Sequence, residues 1–142
     1  MTHIIIHPTA DGVAITTPTG ELQIEEVAAQ VAPDGIYAIV DSSAIPTDRT
    51  FRGAWTYTPD GIEIDLTRAR AIAHDIRRRR RADELAPYDK VISLQIPGTD
   101  GYSAEAARQE IRERYDTLQT AINAADNIDS IVSALSTSEV LK

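Results

Sequence analysis

The chain contains no cysteine. That absence excludes a disulfide framework, thiol chemistry and thiolate metal sites, and it suits a cytosolic setting. Aromatic residues are also scarce, with one Phe, one Trp and five Tyr among 142 residues. The core must therefore be built mainly from Ile, Ala, Val and Leu. Long apolar runs are missing too. The opening Ile4-Ile5-Ile6 stops after three residues, whereas a signal peptide needs roughly 7–15 apolar residues and a transmembrane helix about 20. With no basic residues ahead of that run, the protein is expected to stay where it is made. Positive charge is in deficit: 14 Lys and Arg against 22 Asp and Glu give a net charge of −8. Such a balance argues against a protein that coats nucleic acid generally. What is present, 42% hydrophobic and 25% charged residues, is a globular composition, enough for one ordinary domain or a small domain with a helical extension.

Charge divides the chain into three. Residues 1–66 hold two basic and ten acidic side chains, and residues 82–142 hold five basic and eleven acidic. Between them, residues 67–81 carry seven Arg and one Asp. A single basic stretch thus lies between acidic flanks.

Short strands separated by turn residues fill the first half. Residues 3–7 and 13–17 read as a hairpin about Ala10-Asp11-Gly12. Leu22, Ile24, Val27, Ala28 and Val31 recur at helical spacing, with Glu21, Glu25 and Glu26 at the end the helix dipole favours. Residues 36–40 form a continuous apolar run, which predicts a buried strand. Residues 54–58 and 62–65 flank Pro59-Asp60-Gly61 and read as a closing hairpin. From Leu66 the period becomes helical. Asp65 or Thr67 can cap a helix with Leu66, Ala69, Ile72, Ala73 and Ile76 on one face, running to about Leu85. After Pro87, residues 88–96 fit a helix, with a strand over 91–96 as the alternative. Pro97-Gly98-Thr99-Asp100-Gly101 marks a break. A helix with Ile111, Tyr115, Leu118 and Ile122 follows, stabilised by pairs such as Glu110–Arg114. A last short helix places Ile128, Ile131, Val132 and Leu135 on one side. The expected fold class is α+β, a small β-rich domain with one short helix over residues 1–65 and a helical hairpin or bundle over 66–142. Each of those helices has a narrow apolar stripe, so it needs the sheet, a partner or a second copy to cover it, and a homo-oligomer through the C-terminal helices is one expectation.

Catalytic and metal signatures are not visible. Ser42-Ser43 lacks the surroundings of a nucleophile elbow. Gly98-Thr99-Asp100-Gly101 lacks the lysine and spacing of a phosphate loop. His3 and His7 on a strand stand about 13 Å apart, too far to chelate together. The expectation is a protein that is not an enzyme, with no metal and no cofactor.

Two features remain. Arg77, Arg78, Arg79, Arg80 and Arg81 are consecutive, with Arg68, Arg70 and His74 upstream. On a helix five residues sweep about 500°, so they cannot share one face. They can pair with acidic groups of this chain, grip a protein partner, or bind phosphates. The second feature is residues 41–57, which hold Arg49, Phe51, Arg52 and Trp55. Arg and Trp are frequent carriers of interface energy. Phe51 and Trp55 could equally anchor this connection in the core, with the arginines paired to Asp41 or Asp48.

The same stretch resembles a known group of proteins. Tyr37-Ala38-Ile39-Val40-Asp41, then Ile45-Pro46-Thr47-Asp48-Arg49-Thr50-Phe51-Arg52-Gly53-Ala54-Trp55, is similar to a segment of small proteins encoded beside tail-fibre genes in tailed bacteriophages. Gly53 stands where those proteins usually carry Asn. As in them, an acidic hairpin and a helix beginning Asp65-Leu66-Thr67-Arg68-Ala69-Arg70 follow. The likeness covers about residues 36–81. It implies a phage tail or tail-fibre protein that binds another tail protein, as an assembly chaperone or as a permanent baseplate or fibre component. It also implies location in the host cytoplasm during assembly, or in the virion tail. Arg49, Phe51, Arg52 and Trp55 are then the expected contacts, with Arg77, Arg78, Arg79, Arg80 and Arg81 as a secondary electrostatic contact. A small nucleic-acid-binding regulator using the arginine-rich helix is the alternative; a membrane partner is not expected.

Overall fold

A computed structural model describes residues 2–94 and 101–140, and it shows an α+β protein. Its contacts divide the chain into two compact units, Met1–Ala69 and Arg70–Lys142.

The first unit is a three-stranded antiparallel sheet, a helix and a separate hairpin. β1 (His3–Thr9) lies between β2 (Gly12–Thr16) and β3 (Ala38–Asp41), so the first strand in the chain is central in the sheet. That position explains three consecutive isoleucines. Ile4 and Ile6 point to one face and Ile5 to the other, and all three are buried. Each fully buried side chain of this size is worth about 1.5–3 kcal/mol. On the Ile4 and Ile6 side, Val13 and Trp55 complete the core, with Ile15, Val40 and Ile62 packed against it. Trp55 begins β4 (Trp55–Thr58), which pairs with β5 (Gly61–Ile64) in a two-stranded sheet lying against β1 and β2. The other face carries α1 (Ile24–Val31), which packs on β1 through its buried Ala28.

Both hairpins turn on an Asp-Gly step. Gly12 and Gly61 each follow the two-residue loop at φ 145° and 150°, a region open to glycine and strained for other residues. The run 36–40, expected as a buried strand, is an edge strand instead. Among the described residues β3 pairs only with β1, its four residues are half-buried, and Ile36 is 50% exposed. An edge strand has one covered flank, so apolar content alone does not bury it. Leu22 lies before α1 and is likewise exposed.

The second unit is helical. α2 (Leu66–Leu94) starts in the first unit, where Asp65 caps it by accepting a hydrogen bond from the Arg68 N–H at 3.1 Å. It does not end near Leu85. It passes through Pro87, so the segment 91–94 is helix and not strand. Pro87 supplies no N–H, and it sits on an exposed turn where water can satisfy the carbonyl left without a donor. The expected break over 97–101 and the strand alternative at 95–96 fall almost wholly on residues 95–100, outside the described residues.

α3 (Gly101–Ala124) buries Ile111, Tyr115, Leu118 and Ile122, the stripe expected from the spacing. A three-residue connection leads to α4 (Ile128–Val140), which packs on α3 with Ile131 and Leu135 buried. Asn127 caps α4 by accepting from the Ser130 N–H at 2.8 Å. Successive partners show that α2 runs antiparallel to α3. Arg70 reaches Ile122 and Ala125, His74 reaches Asn123, Glu84 reaches Arg114 and Asp89 reaches Arg108. The expected Glu110–Arg114 pair is replaced by Arg114–Glu84 at 3.2 Å, with both side chains about one-fifth exposed. A partner across the helix seam competes less with water than one along the exposed face.

Candidate protein-binding site

Residues 41–55 are organised by short-range hydrogen bonds before any side chain is displayed. Asp41 accepts from the Ser43 N–H at 3.0 Å and starts a short 3-10 turn, Ser42–Ala44. Asp48 accepts from the Thr50 hydroxyl at 2.6 Å and the Thr50 N–H at 2.9 Å, an Asx turn. The Arg52 N–H then donates to the Arg49 carbonyl, and the Ala54 N–H to the Phe51 carbonyl. These bonds hold both carboxyls below the usual carboxylate range. At Asp41 the largest cause is the Ser43 N–H, and at Asp48 it is the Thr50 hydroxyl.

The aromatic anchors are inside. Phe51 is 2% exposed and Trp55 fully buried. Neither offers surface to a partner, so the expectation that they are contacts is corrected to the anchoring alternative. A chain with so few large side chains gains most by burying them. The Trp55 Nε1–H has no hydrogen-bond partner among the described residues.

The arginines take the opposite position. Arg49 and Arg52 are exposed. The Arg52 guanidinium carbon lies 5.8 Å from the centre of the Trp55 ring, within cation–π range. Neither arginine pairs with Asp41 or Asp48, whose oxygens are directed to the backbone and to Ser and Thr hydroxyls. Two cations three residues apart therefore stand on a turn fixed by Asp48 and by the buried Phe51. Chemically this is a small fork for carboxylates or other anions.

The consecutive arginines of α2 do not form one surface. Arg77 is 8% exposed and donates from Nε to Nδ1 of His74 at 3.2 Å. Burial, then the neighbouring Arg78 and Arg81, lowers its pKa below the usual guanidinium value. Arg78 pairs with Asp75 at 2.8 Å. Arg80 donates to the Leu135 carbonyl of α4 at 2.9 Å. Arg79 is exposed and Arg81 half-buried. Three of the five are thus engaged within the second unit, one of them nearly buried.

Sequence reasoning missed the weight of Arg70 and His74. Arg70 donates from Nη2 to the Ala125 carbonyl at 2.7 Å and from Nε to the Ile122 carbonyl at 3.3 Å, closing the C-terminal end of α3. His74 bonds Asn123 through Nε2 at 2.8 Å. Because Nδ1 accepts from Arg77, the Nε2–H tautomer fits both bonds. The available signal was spacing: residues 70, 74, 77, 81 and 84 recur at intervals of three and four and lie along one side of a helix.

His3 and His7 stand on strand β1, and among the described residues no three His, Asp or Glu side chains are grouped to hold a metal. No described helix is long and apolar enough to cross a membrane. Compared with protein-family models, curated proteins and solved structures, the chain matches none.

Proposed function

We propose that this chain is a bacteriophage tail or tail-fibre protein that acts by binding another protein, as an assembly chaperone or as a structural component of baseplate or fibre. The observation that carries the binding reading is the pair Arg49 and Arg52, exposed and free of carboxylates on a turn anchored by Phe51 and Trp55. Such a pair suits an acidic segment of a partner. Assignment to a phage tail rests on the resemblance over residues 36–81.

The secondary contact narrows to Arg78, Arg79 and Arg81, since Arg77 is nearly buried against His74 and Arg80 donates to the Leu135 carbonyl, whereas the pair of Arg78 with Asp75 is exposed. The same engagement weakens the nucleic-acid alternative, which needs a continuous basic stripe. Its signature would be a steep loss of DNA or RNA binding between about 50 and 200 mM salt.

The test is co-expression with the neighbouring tail-fibre protein, comparing wild type with Arg49→Glu/Arg52→Glu. The reversed pair is expected to weaken capture by at least about tenfold, with a flatter salt dependence. Equal capture by both forms removes the arginine pair from the proposal. Quantitative mass spectrometry of purified virions against infected-cell lysate then separates the two roles. A fixed copy number marks a structural component, and presence in the lysate alone marks a chaperone.

A further inference from the structure

The arginine turn is not the only open recognition surface of the first unit. β3 has β1 on one flank, and on the other no described residue completes the ladder. Edge strands are commonly protected by proline, lysine, a bulge or a covering element. The sequence of β3, Ala38-Ile39-Val40-Asp41, has no proline and no lysine. Beside it, on the face that carries α1, lies an open groove of about 440 Å3 lined by His3, Pro18, Leu22, Ile24, Glu25 and Ile39. Leu22 at 46% and Ile36 at 50% exposure are two of the largest apolar surfaces the described chain leaves in water.

We propose that the outer edge of β3 and this groove receive an extended segment of another protein, apolar on one face and carrying Lys or Arg, as a fourth strand. Backbone donors and acceptors of the edge supply register and much of the affinity. Side chains of the added strand on the Ile39 side reach the groove, because alternate residues share a face. Charge selects the occupant. Residues 1–66 carry ten acidic and two basic side chains, Glu25 lines the groove, and Glu21 and Glu26 are exposed close by in sequence. A second copy joined edge to edge would set two such acidic surfaces against each other. A basic segment would be attracted.

This inference rests on the protein-binding reading above and adds to it a second surface and the chemistry of the partner. The probe is a fluorescent peptide of alternating Val and Lys, titrated against the full chain. A Val–Glu peptide and a Val–Lys peptide N-methylated on every backbone amide, so that neither edge can donate, serve as comparisons. The Val–Lys peptide should bind with a Kd of about 1 mM or tighter and weaken as salt rises. Both comparison peptides should bind at least about tenfold more weakly. Leu22→Ser/Ile36→Ser, at exposed positions where Trp55 fluorescence can verify folding, should lose a similar factor. Glu21→Lys/Glu25→Lys should favour the Val–Glu peptide. Equal binding of the N-methylated peptide, or no binding at about 1 mM, overturns the proposal. So does a dimer of the free chain that the Leu22→Ser/Ile36→Ser variant abolishes. In the co-expression test, equal capture of the fibre protein by wild type and this variant overturns the edge as its docking site and leaves the protein-binding reading standing. No capture by any form overturns that reading, while the peptide titration still decides the edge.

Discussion

Replacing Arg70 by Ala tests whether the helical unit is held by guanidinium-to-carbonyl bonds. Arg70 is half-buried and makes one short bond, 2.7 Å to Ala125, and one long bond, 3.3 Å to Ile122. Hydrogen bonds to charged groups contribute about 1.5–3 kcal/mol each, and a cation at a helix C-terminus adds about 0.3–1 kcal/mol. The full sum is not expected. The Ile122 carbonyl also accepts from the Ala125 N–H at 3.3 Å, so it keeps a partner when the arginine goes. The Ala125 carbonyl must turn to water. A loss of about 1.5–3 kcal/mol follows, and each kcal/mol moves the melting temperature of a unit this size by about 4–8 °C. Urea unfolding followed by far-UV circular dichroism measures it, with Arg79→Ala as the control. Arg79 is exposed, and its loss should stay within about 0.5 kcal/mol. Arg70→Lys, which keeps the charge and loses the fork, should recover part of the difference. If Arg70→Ala and Arg79→Ala cost the same, the seam is not held as described.

Tyr115 is 1% exposed and its hydroxyl faces the Glu84 carboxylate without a well-formed hydrogen bond, so Tyr115→Phe should change stability by no more than about 1 kcal/mol in the same urea assay. Burial, followed by the nearby Glu84 carboxylate, raises the Tyr115 pKa well above its ordinary 10.0. The neutral phenol is therefore favoured in the fold, and stability present below about pH 10 is lost as pH rises above it. Tyr115→Phe should flatten that alkaline limb. Asp41, Asp48 and Glu105 are shifted the other way, below their ordinary 3.8, 3.8 and 4.5, Glu105 chiefly by its bond from Arg112. Their contribution is present at neutral pH and is lost as pH falls below about 4, so Asp48→Asn should shallow the acid limb of a stability–pH profile. Pro87→Ala should stabilise the helical unit by at least about 1 kcal/mol, because it restores a donor within α2; unchanged stability would mean that the helix is already relaxed around the proline.

Much of the first unit was legible because its signals are local. Ala10-Asp11-Gly12 and Pro59-Asp60-Gly61 announce their hairpins, and β-branched Ile4-Ile5-Ile6 reads as a strand, though its coverage on both faces came only with the structure. Scarcity was informative as well: with one Phe and one Trp, anchoring was a natural use, and both are in the core. Strand order was not legible. Nothing in Ala38-Ile39-Val40 distinguishes an edge from a centre, because that depends on which strands arrive on either side. Pro87 misled for a related reason, since a proline on a wet face of a long helix costs less than one buried in a helix. At the candidate site, the sequence held the arginines and aromatics, and the turn that sorts them into outward and inward groups came from Asp48 and Thr50. The seam between α2 and its neighbours left the weakest trace. Its acceptors at Ile122, Ala125 and Leu135 are backbone carbonyls, which every residue possesses.

That choice of acceptor distributes mutational tolerance unequally across the seam. A carboxylate acceptor disappears when its residue changes, whereas the carbonyl of Ala125 persists through any substitution that keeps the helix end in place. α3 and α4 can therefore drift at the clamped positions as far as packing permits, without a compensating change in α2. Arg70 and Arg80 have no such freedom, because no other side chain presents the same fork at the same reach. Diverged versions of this helical unit should thus retain fixed arginines at these two positions, and pairwise covariation would fail to detect what they meet, whereas the side-chain pairs Glu84–Arg114 and Asp89–Arg108 would remain visible to it.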